Sequence, residues 1–257
     1  MAREFQAEIN ITDVDTMRIS RFVAKQESGR PTEAHVEALY LGYAQLEELI
    51  GHTATIYFGP PDQPPSAITG IIETATVNGS TEKGFDTKQT RYEIRLVSVL
   101  ALLERMVTSR IFQELSVPDI VTKIFDELGI KYKKQLVGSY SPREYCVQYQ
   151  EDTLAFISRL CEHEGIQLLS ESDGDGGEQI VLCDDSKTAP IIAGNADLYS
   201  CPRATLHDTE DAVYALRPKS CVQSGKVVLR DYDFERPGSF PEAQQPGQEA
   251  YQLPYFE

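Results

Sequence analysis

The sequence predicts an α+β protein that is mainly β, with a small α-rich insert between two strand-rich regions. Three observations predict it. Apolar residues alternate with polar ones through the first part of the chain, their spacing switches to the helical three-and-four in the middle, and alternation then returns.

In the first region Phe5, Ala7, Ile9 and Ile11 alternate with polar residues, and residues 17–22 repeat the period of two. Residues 53–58 and 68–77 continue it. The cleanest case is 91–100, where Tyr92, Ile94, Leu96 and Ser98 fall on one face. Prolines at 60, 61, 64 and 65, and the run Asn78-Gly79-Ser80, mark loops, because proline lacks a donor and glycine permits positive φ. Residues 46–51 read as a short helical turn stopped by Gly51. Several strands at short spacing suggest a barrel or a sandwich.

The middle region changes period. Ser116 to Asp119 form a capping-box pattern with Pro118 in the first turn, where its missing N–H costs little. Ile120, Val121, Ile124, Phe125 and Leu128 follow at helical spacing, with Gly129 as the C′ residue. Residues 145–149 look like one strand. A second helix begins near Asp152 and runs through Leu154, Ile157, Leu160 and Cys161 to Gly165, with Glu151 and Asp152 at its N-terminus, where the helix dipole favours them.

The last third returns to β. Residues 166–169 and 179–183 flank the glycine-rich stretch 173–177, a hairpin connection; 213–216 and 226–233 supply further strands. Residues 236–257 contain Pro237, Pro241, Pro246 and Pro254 with several glutamines, and read as extended or poorly ordered.

Composition excludes several functions. With 24 basic and 40 acidic residues the chain carries −16 and repels phosphate backbones, so no nucleic-acid partner is expected. At 41% apolar residues it is not disordered in the main. No apolar run approaches the roughly 18–20 residues of a membrane helix, so no stable membrane insertion is expected, and residues 1–5 lack the apolar h-region of a secretory signal. Charge is uneven: residues 151–200 hold 11 acids against 2 bases, while 101–150 hold 6 against 7. The five cysteines, at 146, 161, 183, 201 and 221, are odd in number and form no C-x-x-C pair, which argues for free thiols in a reducing compartment.

Motifs for chemistry fail in turn. There is no G-x-G-x-x-G and no P-loop; Ser224-Gly225-Lys226 is a turn into a strand. His35, His52, His163 and His207 are scattered. Cys161 and His163, two apart on a helix, diverge by about 200° and cannot share a metal unaided. The acidic stretch 173–178 lacks the further ligands of a calcium loop. No G-x-S-x-G elbow occurs, and the acidic surroundings of Cys161 and Cys183 disfavour a thiolate. One enzymatic candidate remains, a carboxylate site of Asp208, Glu210 and Asp211 beside His207, although these residues read more readily as the cap of a loop. No metal, cofactor or catalytic residue is otherwise expected, and the residues read as a binding or assembly module.

One stretch is specific. Ser116-Val117-Pro118-Asp119-Ile120-Val121, followed by residues 145–166 (Tyr-Cys-Val-Gln-Tyr-Gln-Glu-Asp-Thr-Leu-Ala-Phe-Ile-Ser-Arg-Leu-Cys-Glu-His-Glu-Gly-Ile), resembles the VgrG family of type VI secretion spikes. The hub region at the N-terminus of that family is similar to the baseplate hub of contractile phage tails. The matching positions are Tyr145, Gln148, Tyr149, Glu151, Phe156, Arg159, Leu160, Glu162 and Gly165, supported by 48–51, 53–55, 70–72, 92–94, 110–113 and 229–237. Their expected roles are structural. One of Gln148 and Tyr149 faces the core, Phe156 and Leu160 form one ridge, Arg159 pairs with Glu162 on the exposed side, and Gly165 caps the helix.

The resemblance implies two barrel-like modules: residues 1–105 as the first, 106–165 as the α-rich insert, and 166–257 as a return to β and the start of a second, truncated one. The family's hub continues past this point, so the chain is expected to be a fragment. The resemblance further implies a homotrimer that adapts a trimeric spike to a hexameric Hcp tube. Its other partners would be baseplate components, and effector or spike-tip proteins reached through C-terminal regions. Assembly would be in the bacterial cytoplasm, with expulsion on sheath contraction. The same fold in a phage tail is the alternative.

Overall fold

The computed structural model of the chain describes residues 6–27, 29–59, 65–83, 87–188, 199–200, 212–213, 216–218 and 225–246. They fall into two compact units, Met1–Gly194 and Asn195–Glu257.

The first unit opens with a closed antiparallel barrel. Its strands are β1 (Gln6–Ile11), β2 (Val14–Lys25), β3 (Glu33–Leu41), β4 (Thr53–Gly59), β5 (Ser66–Lys83) and β6 (Thr87–Val97), in the order β1-β2-β3-β6-β5-β4. Pairing of β4 with β1, from Gln6↔Gly59 to Ile11↔Ala54, closes the ring and leaves no long edge open. Alternation sends Ile9, Met17, Val36, Ile56, Ile72, Tyr92, Ile94 and Leu96 inside, where they form one apolar cluster. Bulges between Ile19 and Arg21 and between Ile72 and Thr74 bend the long strands around the curve. Gly70 sits where the backbones of β5 and β6 approach closely: a Cβ there would lie 2.5 Å from the Val97 carbonyl oxygen.

Two local differences from the sequence reading have clear causes. Strand β3 was not expected, because its inward positions include the small Ala34 and Ala38, which give a weak apolar signal. Strand β6 stops at Val97 instead of running to 100. Ser98 turns the chain, its hydroxyl accepting from the Leu100 N–H (3.2 Å) to cap the short helix α1 (Val99–Leu102).

A helical module follows. It comprises α1, a 3-10 turn (Leu103–Arg105), β7 (Val107–Phe112), α2 (Val117–Leu128), β8 (Tyr132–Gln135), β9 (Cys146–Asp152), α3 (Thr153–Glu164), β10 (Gln167–Ser172) and β11 (Glu178–Cys183). Ser116 caps α2 and Asp152 caps α3, the latter accepting from Ala155 N–H at 2.8 Å. Gly129 and Gly165 end the two helices at φ 67° and 72°, the left-handed geometry that glycine tolerates. Helices α2 and α3 share one core with Phe112, Cys146, Ile166, Leu168, Ile180 and Leu182. Strands β10, β11 and β8 form a small sheet in which β8 runs parallel to β11, and β7 pairs with β9 in a separate two-stranded sheet. The module is tied to the barrel through Ser98 N–H to Thr32 O (2.8 Å), Gly29 N–H to Leu168 O (3.3 Å) and Thr55 Oγ1 to Gly176 O (3.2 Å).

In the second unit, β12 (Tyr199–Ser200) runs parallel to β13 (Ala212–Val213), and β14 (Lys226–Arg230) pairs antiparallel with β15 (Glu242–Pro246). Residues 242–246, read from sequence as part of an extended tail, are thus held by a ladder from Lys226↔Pro246 to Arg230↔Glu242. Proline is tolerated there because it ends the strand. Among the described residues no helix is long and apolar enough to cross a membrane.

Candidate functional site

The signature residues gather where β9 turns into α3. Gln148 is fully buried and its amide donates to Glu151 O (3.0 Å) and to Thr153 Oγ1 (3.2 Å). Thr153 in turn gives both its hydroxyl (2.9 Å) and its N–H (3.0 Å) to the Met106 carbonyl. The turn is therefore fastened to the chain entering β7. Gln150 takes a positive φ of 45° beside a register shift between Thr108 and Arg110, and its N–H donates to Ser109 Oγ (3.1 Å). Tyr149, next along from Gln148, faces outward at 72% exposure, so of this pair it is Gln148 that enters the core.

Phe156 and Leu160 are buried in one ridge, and Phe156 stacks on Phe112 with centroids 5.6 Å apart. Arg159 lies over the outer side of Phe156, 4.9 Å from the ring centre. The expected partner of Arg159 needs correction: it bonds Glu151, not Glu162. Its Nε donates to Glu151 Oε1 (2.7 Å), and its Nη2 donates to Glu151 Oε2 (2.9 Å) and to the Val147 carbonyl (2.9 Å). The planar guanidinium matches a carboxylate and a carbonyl held together at the strand end, which a helical neighbour three residues on does not offer. The bond to Glu151 also holds the Arg159 guanidinium more firmly protonated than usual.

Reactive groups are placed for packing. Burial pushes the Cys161 thiol up to about 12, with the Glu162 charge adding a little; Cys146 is also buried, and the buried Cys183 donates its thiol to the Asp185 carbonyl (3.3 Å). His163, on the exposed side of α3, has its Nδ1 2.9 Å from Arg143 Nη2. In the acidic hairpin Asp173 is occupied by Lys131 Nζ (2.6 Å) and the N–H groups of Gly177 (2.7 Å) and Asp175 (2.9 Å), which hold its carboxyl below the usual range. Glu178 turns away from it to accept from Val99 N–H (2.7 Å) and Ser170 Oγ (2.5 Å). Among the described residues no three His, Cys, Asp or Glu side chains form a metal-binding group. His207, Asp208, Glu210, Asp211, Cys201 and Cys221 lie outside the described residues.

The feature that sequence reasoning missed is on the opposite face of β7–β9. Val107 and Ile111 on β7 and Val147 and Tyr149 on β9 point to solvent, with Met106 and Tyr145 exposed at the ends. The signal was present in the alternation of residues 145–149, in which Cys146 and Gln148 go inward and the larger apolar side chains go out.

The phage tail baseplate hub (GPD) family matches residues 28–256. The chain belongs to that family. This hub chain is 33% identical over 206 residues to the type VI secretion system spike protein VgrG4b of Pseudomonas aeruginosa, covering 77% of this chain and 24% of that protein. Against VgrG1b of the same organism it is 32% identical over 228 residues, 88% of this chain and 30% of the relative. The hub chain thus spans less than a third of the length of the curated relatives it matches, 24% and 30% of these two. A solved E. coli protein shares the fold, at a TM-score of 0.61 and 21% identity over 88% of this chain and 56% of that one. It is described as a type VI secretion component structurally similar to the T4 bacteriophage tail proteins gp27 and gp5.

Proposed function

We propose that this chain is the hub segment of a type VI secretion spike: three copies form a collar that seats on a hexameric Hcp tube beside the baseplate and leaves with the spike when the sheath contracts. The observation that carries the reading is the hub-family match across residues 28–256, on a chain whose described first part closes into a barrel. Two barrel-like modules per chain, six in a three-chain collar, convert threefold symmetry to sixfold, which a ring-on-ring seat requires. The action is mechanical, and the signature residues serve it by packing: Gln148, Phe156 and Leu160 are buried, and Arg159 is committed to Glu151. Assembly takes place in the cytoplasm before ejection.

The test is to mix the purified chain with hexameric rings of the tube protein and image the product. Threefold collars capping rings are expected. A chain that leaves the rings bare at every concentration overturns the reading. A second reading, the hub of a phage tail, is favoured by the family's own description. It predicts that the chain caps phage tail-tube rings in preference to Hcp rings.

A further inference from the structure

We propose that the outer face of the β7–β9 sheet is a contact between copies of this chain; the proposal rests on the hub reading and names the surface through which its copies meet. Register places Ile111 directly opposite Val147. By alternation Tyr149 continues the same face along β9 and Val107 along β7, with the exposed Tyr145 just before β9. The inner face of the same sheet is spent on the core through Phe112, Cys146 and Gln148. A two-stranded sheet with one face packed ordinarily turns polar residues to water on the other. Here it turns out aliphatic and aromatic ones, Ile111 at 58% exposure and Tyr149 at 72%. The strip amounts to apolar surface on the order of 500 Å², the size at which an exposed patch marks an interaction site and more than half of the ~800 Å² one partner gives to a standard interface.

Charge selects the occupant. The chain carries −16, and residues 151–200 hold 11 acids against 2 bases, so a basic partner is drawn to those acids and not to this strip. A partner of the same acidic sign is repelled there. It approaches most easily over residues 101–150, whose 7 bases and 6 acids nearly cancel and which carry β7 and most of β9. Two of the charges beside the strip are already paired within the chain, Arg110 with Glu127 (2.7 Å) and Arg159 with Glu151, so covering either strands no lone charge. An apolar strip in the nearly charge-balanced part of a strongly acidic chain fits a second copy of that chain.

The experiment uses the whole chain. Light scattering across concentration compares the parent with the double variant Ile111→Glu, Tyr149→Glu, both sites facing solvent, and with Leu41→Glu, an exposed apolar position on the barrel. The parent and Leu41→Glu are expected to form particles of three chains, and the double variant to stay near the single-chain 28.7 kDa with unchanged circular dichroism. Should the double variant misfold, a photo-reactive benzoylphenylalanine at position 149 supplies the answer: covalent dimers are expected on irradiation, far more than from the same group at position 187. Association that persists undiminished in a folded double variant, or no cross-link at 149, overturns the strip while leaving the hub reading in place. A parent that stays monomeric also overturns it, and ring capping by the same sample then reports separately on the hub reading.

Discussion

Tyr92 and Ala44 are joined twice: the buried phenol donates to the Ala44 carbonyl (2.7 Å) and accepts from the Ala44 N–H (2.8 Å). The loop before the 3-10 turn at Leu46–Glu48 has no strand partner for these groups, so one side chain rising from β6 supplies both. Tyr92→Phe keeps the ring and removes the bridge, leaving a buried donor and a buried acceptor unmet at a cost of about 1–3 kcal/mol. Thermal denaturation should show a fall in Tm of roughly 2–4 °C per kcal/mol. Tyr40→Phe, whose hydroxyl makes a longer exposed contact to Asp15 (3.3 Å), should change stability by less than about 0.5 kcal/mol. Equal effects at the two sites would sink this account.

The two-pronged bond from Arg159 to Glu151 is half exposed on the arginine side, so screening limits it to about 1 kcal/mol. A double-mutant cycle over Arg159 and Glu151 should return a coupling of that size, and one over Arg159 and Glu162 a coupling near zero. Arg159→Lys should lose most of the stabilisation although the charge is kept, because an ammonium cannot span both carboxylate oxygens and the Val147 carbonyl. Full retention in the lysine variant would show that only charge matters.

These two sites mark what was legible in the sequence. Both main helices were, down to the caps at Ser116, Asp152, Gly129 and Gly165, because capping and periodicity are local. Most barrel strands were, because one wet and one buried face enforce strict alternation. Strand β3 was not, since Ala34 and Ala38 carry little apolar signal even when fully buried. Strand β8 was not, since four residues at the edge of a sheet whose order β10-β11-β8 departs from chain order leave no pattern. The Arg159 partner was misread because it lies across a turn of backbone, and only folding brings Glu151 under the guanidinium. The outward face of β9 was overlooked because Tyr145 and Tyr149 counted as scaffold residues, whereas alternation buries Cys146 and Gln148 and turns both tyrosines out.

Close backbone approach makes Gly70 intolerant of any side chain. A Cβ would meet Val97 O at 2.5 Å and Val97 C at 3.0 Å, both backbone atoms of the facing strand, which cannot rotate away. Gly70→Ala should therefore destabilise by about 1–3 kcal/mol or more through displacement of the β5–β6 ladder. Gly225→Ala, with nothing within 4 Å, should be neutral or slightly stabilising by reducing the freedom of the unfolded chain. Urea denaturation midpoints of the two variants decide it: a Gly70 variant matching the Gly225 variant removes the argument.

Glu178 should give the chain an unusual response to pH. Burial pushes its carboxyl above the ordinary 4.5, and bonds from Ser170, Ser98 and Val99 N–H offset this only in part. The folded state then holds this proton more tightly than the unfolded state. Between the ordinary value and the raised one, folding takes up a proton, so stability from this group falls as pH rises through that interval and stays low above it. Asp173 and Asp184 act in the opposite sense: donors hold both below 3.8, and their contribution is lost as pH falls below that value. Glu178→Gln cannot ionise and still accepts from Val99 N–H. Its stability relative to the parent should therefore be higher at about pH 7 than at about pH 4, as read from urea midpoints at each. A difference that is constant with pH, or larger in acid, would mean that the Glu178 carboxylate is as well solvated in the folded chain as in the unfolded one.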